Sequence, residues 1–139
     1  FGKSNDEAKY IITGNKRDIN RYKWNYKNIS KKLDNKNSKQ SIFFQKISNL
    51  LYVRRKQKAF HPNASRHIIN LGSKIFSFKR ISIDRKQAII CITNLSSITQ
   101  RIHLDKVYEN WNNLIGSKIK INNNLLILKP FETIWLSNR

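Results

Sequence analysis

Hydrophobic periodicity changes once along the 139-residue chain, near Pro62, and that change limits the folds open to it. Before Pro62, the residues Phe43, Phe44, Ile47, Leu50 and Leu51 recur at i, i+1, i+4, i+7 and i+8. Side chains at that spacing share one face of an α-helix, so the stripe predicts a core-packed helix over residues 39–57. Proline lacks an amide donor and drives the residue before it, here His61, out of helical conformation, so Pro62 is expected to end the helix. Beyond it the apolar residues come in short runs rich in Ile, Phe and Leu, over residues 66–71, 75–83, 86–95, 99–104, 118–121, 125–128 and 131–136. Runs of that length bounded by turn formers read as strands, and their number and spacing predict an antiparallel sandwich. Phe76 and Phe78 fall on one strand face. Asp84-Arg85 and Asn122-Asn123-Asn124 read as hairpin turns, since Asn tolerates positive φ, and Pro130 is expected between strands or on an edge.

The first forty residues are polar, with scattered Tyr10, Tyr22, Trp24 and Tyr26. Residues 7–12 read as a short helix and the Asn/Lys-rich residues 31–39 as a loop. A single strong helix with loops offers no layer to cover its own stripe, so the first part looks incomplete unless the sandwich or a further segment covers it. The absence of Met and the opening Phe1-Gly2-Lys3 fit that expectation of a piece of a longer chain.

Charge is the next constraint. There are 28 Lys plus Arg against 8 Asp plus Glu, a net +20, which is the usual first sign of a polyanionic partner. Electrostatic binders concentrate their cations, however, whereas residues 1–60 carry 16 basic and 4 acidic side chains and residues 61–139 carry 12 and 4. The 19 Lys, 18 Asn and 21 Ile are the residues that an AT-rich coding bias supplies. A solvated, compositionally biased surface is therefore expected, and no nucleic-acid partner. The competing reading is a basic binding module using the cluster Arg54-Arg55-Lys56-Gln57-Lys58 and stacking Trp or Tyr side chains.

Self-contained chemistry is sparse. Cys91, the one cysteine, leaves no internal disulfide and no zinc spacing, which fits a reducing compartment. No apolar run approaches the ~20 residues of a membrane span, so no membrane partner is expected. His61, His67 and His103 lack metal-ligand spacing, and neither a metal nor a cofactor is expected. There is no GxGxxG, P-loop or GxSxG pattern. Of the acids, only Asp6, Glu7 and Asp18 lie near one another in sequence. The Asn-x-Ser matches at Asn28, Asn63 and Asn94 are what 18 Asn produce by chance.

The specific signal is a set of strings in a fixed order: Gly2-Lys3-Ser4-Asn5-Asp6, then residues 13–21 (TGNKRDINR), then Leu50-Leu51-Tyr52-Val53-Arg54-Arg55, then Ala59-Phe60-His61-Pro62-Asn63-Ala64. Downstream come residues 75–80 (IFSFKR), Trp111-Asn112-Asn113-Leu114-Ile115-Gly116 and residues 128–136 (LKPFETIWL). Together they resemble the C-terminal end of the sucrose-phosphorylase-type sugar phosphorylases of the α-amylase superfamily, glycoside hydrolase family 13. The string around Phe60-His61-Pro62 is closer to the glucosylglycerate-type branch. The resemblance implies an α+β fragment. Residues 1–61 would be the incomplete C-terminal end of a catalytic (β/α)8 TIM barrel, loops plus last helix, and residues 62–139 an antiparallel all-β sandwich domain. Function in such barrels sits on the loops at the strands' C-terminal ends.

What the resemblance implies for chemistry is a retaining double displacement. An aspartate attacks the anomeric carbon, a glutamic acid protonates the leaving oxygen, and phosphate takes the glucosyl unit to give α-glucose 1-phosphate. The family's catalytic acids lie upstream of the stretch matched here, so no catalytic residue is expected in this sequence and the fragment by itself should be inactive. Arg21 matches the family arginine at the floor of the glucose subsite, and Asn5 and Asp6 match a loop shaping the acceptor side. A guanidinium suits that task because its planar fork of donors holds vicinal hydroxyls and a carboxylate at once. The competing role for Arg21 is a loop ion pair with Asp18 or Asp6. Lys3 departs from the family's usual arginine but keeps the charge. The implied partners are a small-molecule glucoside and phosphate in a cytoplasmic enzyme, with a hydrolase or transglucosidase of the same superfamily as the alternative. Trp111 and Trp135 are expected to close the ends of the sandwich core rather than to stack on sugar.

Overall fold

The structure, a computed structural model, describes residues 6–17, 24–116, 118–119 and 121–139. The chain divides into two compact units, Phe1–Asn49 and Leu50–Arg139.

In the first unit, α1 (Glu7–Thr13) starts at Asp6, whose carboxylate accepts the Lys9 N–H at 3.2 Å, and stops at Gly14. Gly14 has φ 64° and its N–H reaches the Tyr10 carbonyl at 2.7 Å, a left-handed stop that glycine adopts without Cβ strain. Helix α2 (Tyr26–Asp34) follows, with Asn25 at its N-cap. Residues 31–34, expected as loop, are therefore helical. Lysine is a competent helix former, and Lys31 and Lys32 lie in the last turn, where cations suit the helix dipole. The remaining loop is short. The Ser38 hydroxyl donates to the Lys32 carbonyl and accepts the Ser41 N–H at 3.0 Å, which starts α3 (Lys39–Arg55).

Helix α3 forms where the periodicity places it, but its stripe does not enter a core. Ser41 is its one buried residue, while Phe43, Phe44, Ile47 and Leu51 are 40–55% exposed. The helix also ends before Pro62 acts on it. Gln57 is extended (φ −96°, ψ 116°), its side-chain amide donates to the Val53 carbonyl at 3.2 Å, and a 3₁₀ turn, Lys58–Phe60, occupies the interval.

The second unit is a two-sheet sandwich. Its strands are β1 (Ser65–Ile68), β2 (Ile75–Ile81), β3 (Ala88–Asn94), β4 (Gln100–His103), β5 (Asn112–Asn113), β6 (Leu125–Leu128) and β7 (Thr133–Ser137). One sheet has the order β1-β2-β3-β7-β5 and the other pairs β4 with β6, every described pairing being antiparallel. Strand β3 lies at the centre, and its continuous apolar run is explained by burial on both faces. Ile90 and Ile92 meet Ile102, Leu126, Leu128, Ile134 and Leu136 between the sheets. Ile89 and Cys91 point the other way, against Ala59 and Phe60. Phe76 and Phe78 do share a face, with ring centroids 5.6 Å apart.

Turn chemistry follows the sequence closely. The β2–β3 hairpin turns at Arg85 (φ 53°) and the Asn122 to Leu125 turn at Asn123 (φ 50°) and Asn124 (φ 65°). The second turn does not join the two strands expected around it, however. Of the described residues there, 118, 119 and 121 belong to no strand, Asn122 forms a bridge with Leu125, and β6 pairs with β4. Phe131 (φ 55°) belongs to the turn after Pro130, so β7 starts at Thr133 rather than at residue 131.

Candidate functional site

The three residues picked out for sugar binding are only partly placed. Asn5 and Arg21 lie outside the described residues. Asp6 is the N-cap of α1, an assignment that uses its carboxylate for the helix start. The segment that follows is held by short-range bonds. Thr13 Oγ1 donates to the Lys9 carbonyl at 3.0 Å and accepts the Asn15 N–H at 3.3 Å, and Asn15 Oδ1 accepts the Arg17 N–H at 3.0 Å. Local side-chain-to-backbone bonds of this kind shape a loop without a packed core beneath it.

Three of the ordered strings converge in space, around the segment of residues 57–64. Ala59 is fully buried, and the Phe60 ring meets Trp135 edge-on at 4.9 Å. Arg80, which ends the IFSFKR string, donates from Nε to the Ala59 carbonyl at 2.9 Å and from Nη2 to the His61 and Ala64 carbonyls at 2.5 and 3.3 Å. Gln87 accepts the Ala59 N–H at 3.0 Å and donates to the Gln57 side chain at 2.7 Å. No sequence pattern gives Arg80 or Gln87 a role, because their partners, mostly backbone groups, lie far away in sequence.

Beside this segment lies a cleft of about 310 Å³ lined by Lys58, His61, Ser82, Ile83 and Asp84. Asp84 accepts from the Ser82 hydroxyl at 2.6 Å, pairs with the Lys58 ammonium at 3.0 Å and accepts the Lys86 N–H at 3.1 Å. The Ser82 hydroxyl first, then Lys58 and the Lys86 amide, hold its carboxyl well below the ordinary 3.8. An acid held ionised so firmly is a poor proton donor, and Asp84 acts as a staple of the β2–β3 turn. Because the folded value lies below the unfolded one, its contribution is complete above pH 3.8 and is lost as pH falls from there through the folded value. Wild-type chain is therefore expected to lose its thermal advantage over Asp84→Asn across the acid range; an advantage that stayed constant with pH would rule this out.

Among the described residues, no group of three His, Cys, Asp or Glu side chains could hold a metal ion, and no helix is long and apolar enough to cross a membrane. Trp111 and Trp135 are half-buried. Trp111 packs on Tyr108 edge-to-face at 4.8 Å, and both rings carry Lys79 nearby, at 5.8 and 5.7 Å. Each tryptophan thus borders an apolar cluster.

The fold is similar to that of part of several solved carbohydrate-active enzymes. The solved α-glucosyl transfer enzyme XgtA superposes with a TM-score of 0.60 at 17% identity, over 79% of this chain and 19% of that one. AmyP in complex with maltotriose gives 0.60 at 21%, over 74% and 22%, and the α-amylase from H. orenii 0.55 at 21%, over 79% and 22%. These likenesses concern the fold. Sequence goes further: the chain has glucosylglycerate phosphorylases as homologues over most of its length. That of Escherichia coli (strain K12) is 27% identical over 140 residues, which is 98% of this chain and 24% of the relative. That of Spirochaeta thermophila is 32% identical over 88 residues, 63% of this chain and 15% of the relative, and that of Allomeiothermus silvanus 27% over 139 residues, 98% and 22%. The chain thus spans less than a quarter of the length of each of these three. No family model matches it.

Proposed function

We propose that this chain is the C-terminal portion of a cytoplasmic glucosylglycerate-type phosphorylase, an enzyme that moves a glucosyl unit from a glucoside to phosphate and releases α-glucose 1-phosphate. The observation that carries the reading is homology to glucosylglycerate phosphorylases along 98% of the chain, and the order of the motif strings supports it. On this reading residues 1–61 are the end of the catalytic (β/α)8 barrel and residues 62–139 its β domain. The exposed α3 stripe is then the side of the last barrel helix that faces barrel strands supplied by the rest of the enzyme. The acids of the double displacement come from that remainder. Arg21 binds glucose hydroxyls, and Asn5 and Asp6 shape the acceptor side.

The test uses the full-length protein containing this sequence, given glucosylglycerate and inorganic phosphate. Glucose 1-phosphate should form in proportion to glucoside consumed and should stop when phosphate is withheld. Free glucose released at the same rate without phosphate would instead place the enzyme among the hydrolases of the superfamily, and glucosyl transfer to a second sugar would place it among the transglucosidases.

A further inference from the structure

The segment 57–64 is attached to the sandwich differently from everything else in its unit. Its buried apolar side chains are Ala59, Phe60 and Ala64, of which Ala59 and Phe60 cover Ile89 and Cys91 on the outer face of the five-stranded sheet. The rest of its hold is polar: the Arg80 fork on three carbonyls, the Gln87 side chain on the Ala59 N–H and on the Gln57 side chain, and the Lys58–Asp84 ion pair. The core between the two sheets is a separate and larger cluster that shares no buried residue with it. Lifting the segment would therefore uncover one small apolar patch and leave the inter-sheet core intact. Contiguous pieces held by few apolar contacts open at free energies below that of global unfolding.

We propose that residues 57–64 form a strap, bolted by Arg80, that opens and closes on the sheet as a unit of its own and uncovers Cys91 while the two-sheet core stays folded. The inference does not depend on the enzymatic reading. With the strap closed, Cys91 is 3% exposed and burial pushes its thiol up to about 12, so it is inert to reagents that need a thiolate. As the single cysteine of the chain it gives a one-site readout.

The experiment follows labelling of Cys91 in the 139-residue chain by an aromatic disulfide. The thiolate displaces the reagent's aromatic thiolate, forming a mixed disulfide and releasing one coloured anion per chain. Below the unfolding transition, labelling is expected to depend only weakly on urea, whereas amide exchange at Ile90 and Ile92 in β3 follows the steep slope of global unfolding. Arg80→Gln should speed labelling by about tenfold or more with β3 exchange unchanged, since hydrogen bonds from a charged donor are lost only in the closed state. Arg80→Lys, with the charge but not the fork, should fall between. The proposal is overturned if wild-type labelling shares the steep slope of β3 exchange, or if Arg80→Gln accelerates both equally. Should Arg80→Gln fail to fold, the two wild-type slopes decide the matter alone.

Discussion

Asn94→Leu is expected to destabilise the β module by about 2–3 kcal/mol and to lower its thermal midpoint by roughly ten degrees or more. Asn94 is fully buried, yet it is polar and makes more hydrogen bonds than any aliphatic residue of similar size could replace. Its amide donates to the Ile98 carbonyl at 2.7 Å and the Lys129 carbonyl at 2.8 Å, and its oxygen accepts the Ser96 N–H at 2.9 Å and the Ser96 hydroxyl at 2.7 Å. One side chain thus ties the loop after β3 to the corner after β6, where no sheet ladder joins the two. Leucine fills the volume but takes the acceptor from the Ser96 N–H, and it leaves the Ile98 carbonyl with the Ser96 hydroxyl alone and the Lys129 carbonyl with the Glu132 N–H alone. Asn94→Asp separates shape from bonding. It keeps the acceptor and the outline of the side chain while losing both donors and setting a carboxylate against carbonyl oxygens. Aspartate is therefore expected to cost at least as much as leucine at neutral pH. A mild aspartate variant, measured by thermal or urea unfolding, would show that packing rather than hydrogen bonding matters at this position.

Elements whose local chemistry agrees with their surroundings were readable from sequence. The run 88–92 reads as a strand because it is apolar throughout and rich in isoleucine, and Asp84-Arg85 and Asn122 to Asn124 read as turns because they separate apolar runs and Asn tolerates positive φ. What covers each face of β3 was not readable: the strap owes its place to Arg80 and Gln87, which reach it mostly through main-chain groups that any sequence would carry. Helix α2 was hidden because lysines and asparagines look like a loop, while its start rests on Asn25 alone. Strand β5 is two asparagines, with Asn113 Oδ1 accepting the Trp135 N–H at 3.1 Å, and has no apolar signature at all. Conversely the α3 stripe was read correctly as a helix, but nothing within the described residues buries it. Periodicity reports which side of a helix is apolar; it does not report whether the layer that would cover that side is in the same stretch of chain. The sugar-binding residues were legible in yet another way. Nothing physical separates Arg21 from the other 27 cations; the order of the strings around it does.

That makes Arg21 the position where the functional reading is most exposed to test. In the full-length protein, Arg21→Ala is expected to lower kcat/KM for phosphorolysis by about two orders of magnitude or more. The estimate comes from losing two charge-assisted bonds to the sugar or to its carboxylate partner, together about 3 kcal/mol. Arg21→Lys should recover only part of this, because an ammonium restores the charge but cannot hold two acceptors in one plane. Asp6 needs a different comparison, since its carboxylate already caps α1. Asp6→Ala should cost about 1 kcal/mol of helix stability whatever the ligand does. Asp6→Ser keeps the cap, so any rise in KM for the acceptor in the serine variant measures contact with it. If Asp6→Ser behaves as wild type, Asp6 serves the loop rather than the substrate; if Arg21→Ala also turns over normally, the glucose subsite lies elsewhere in the enzyme, and residues 1–61 contribute scaffold alone.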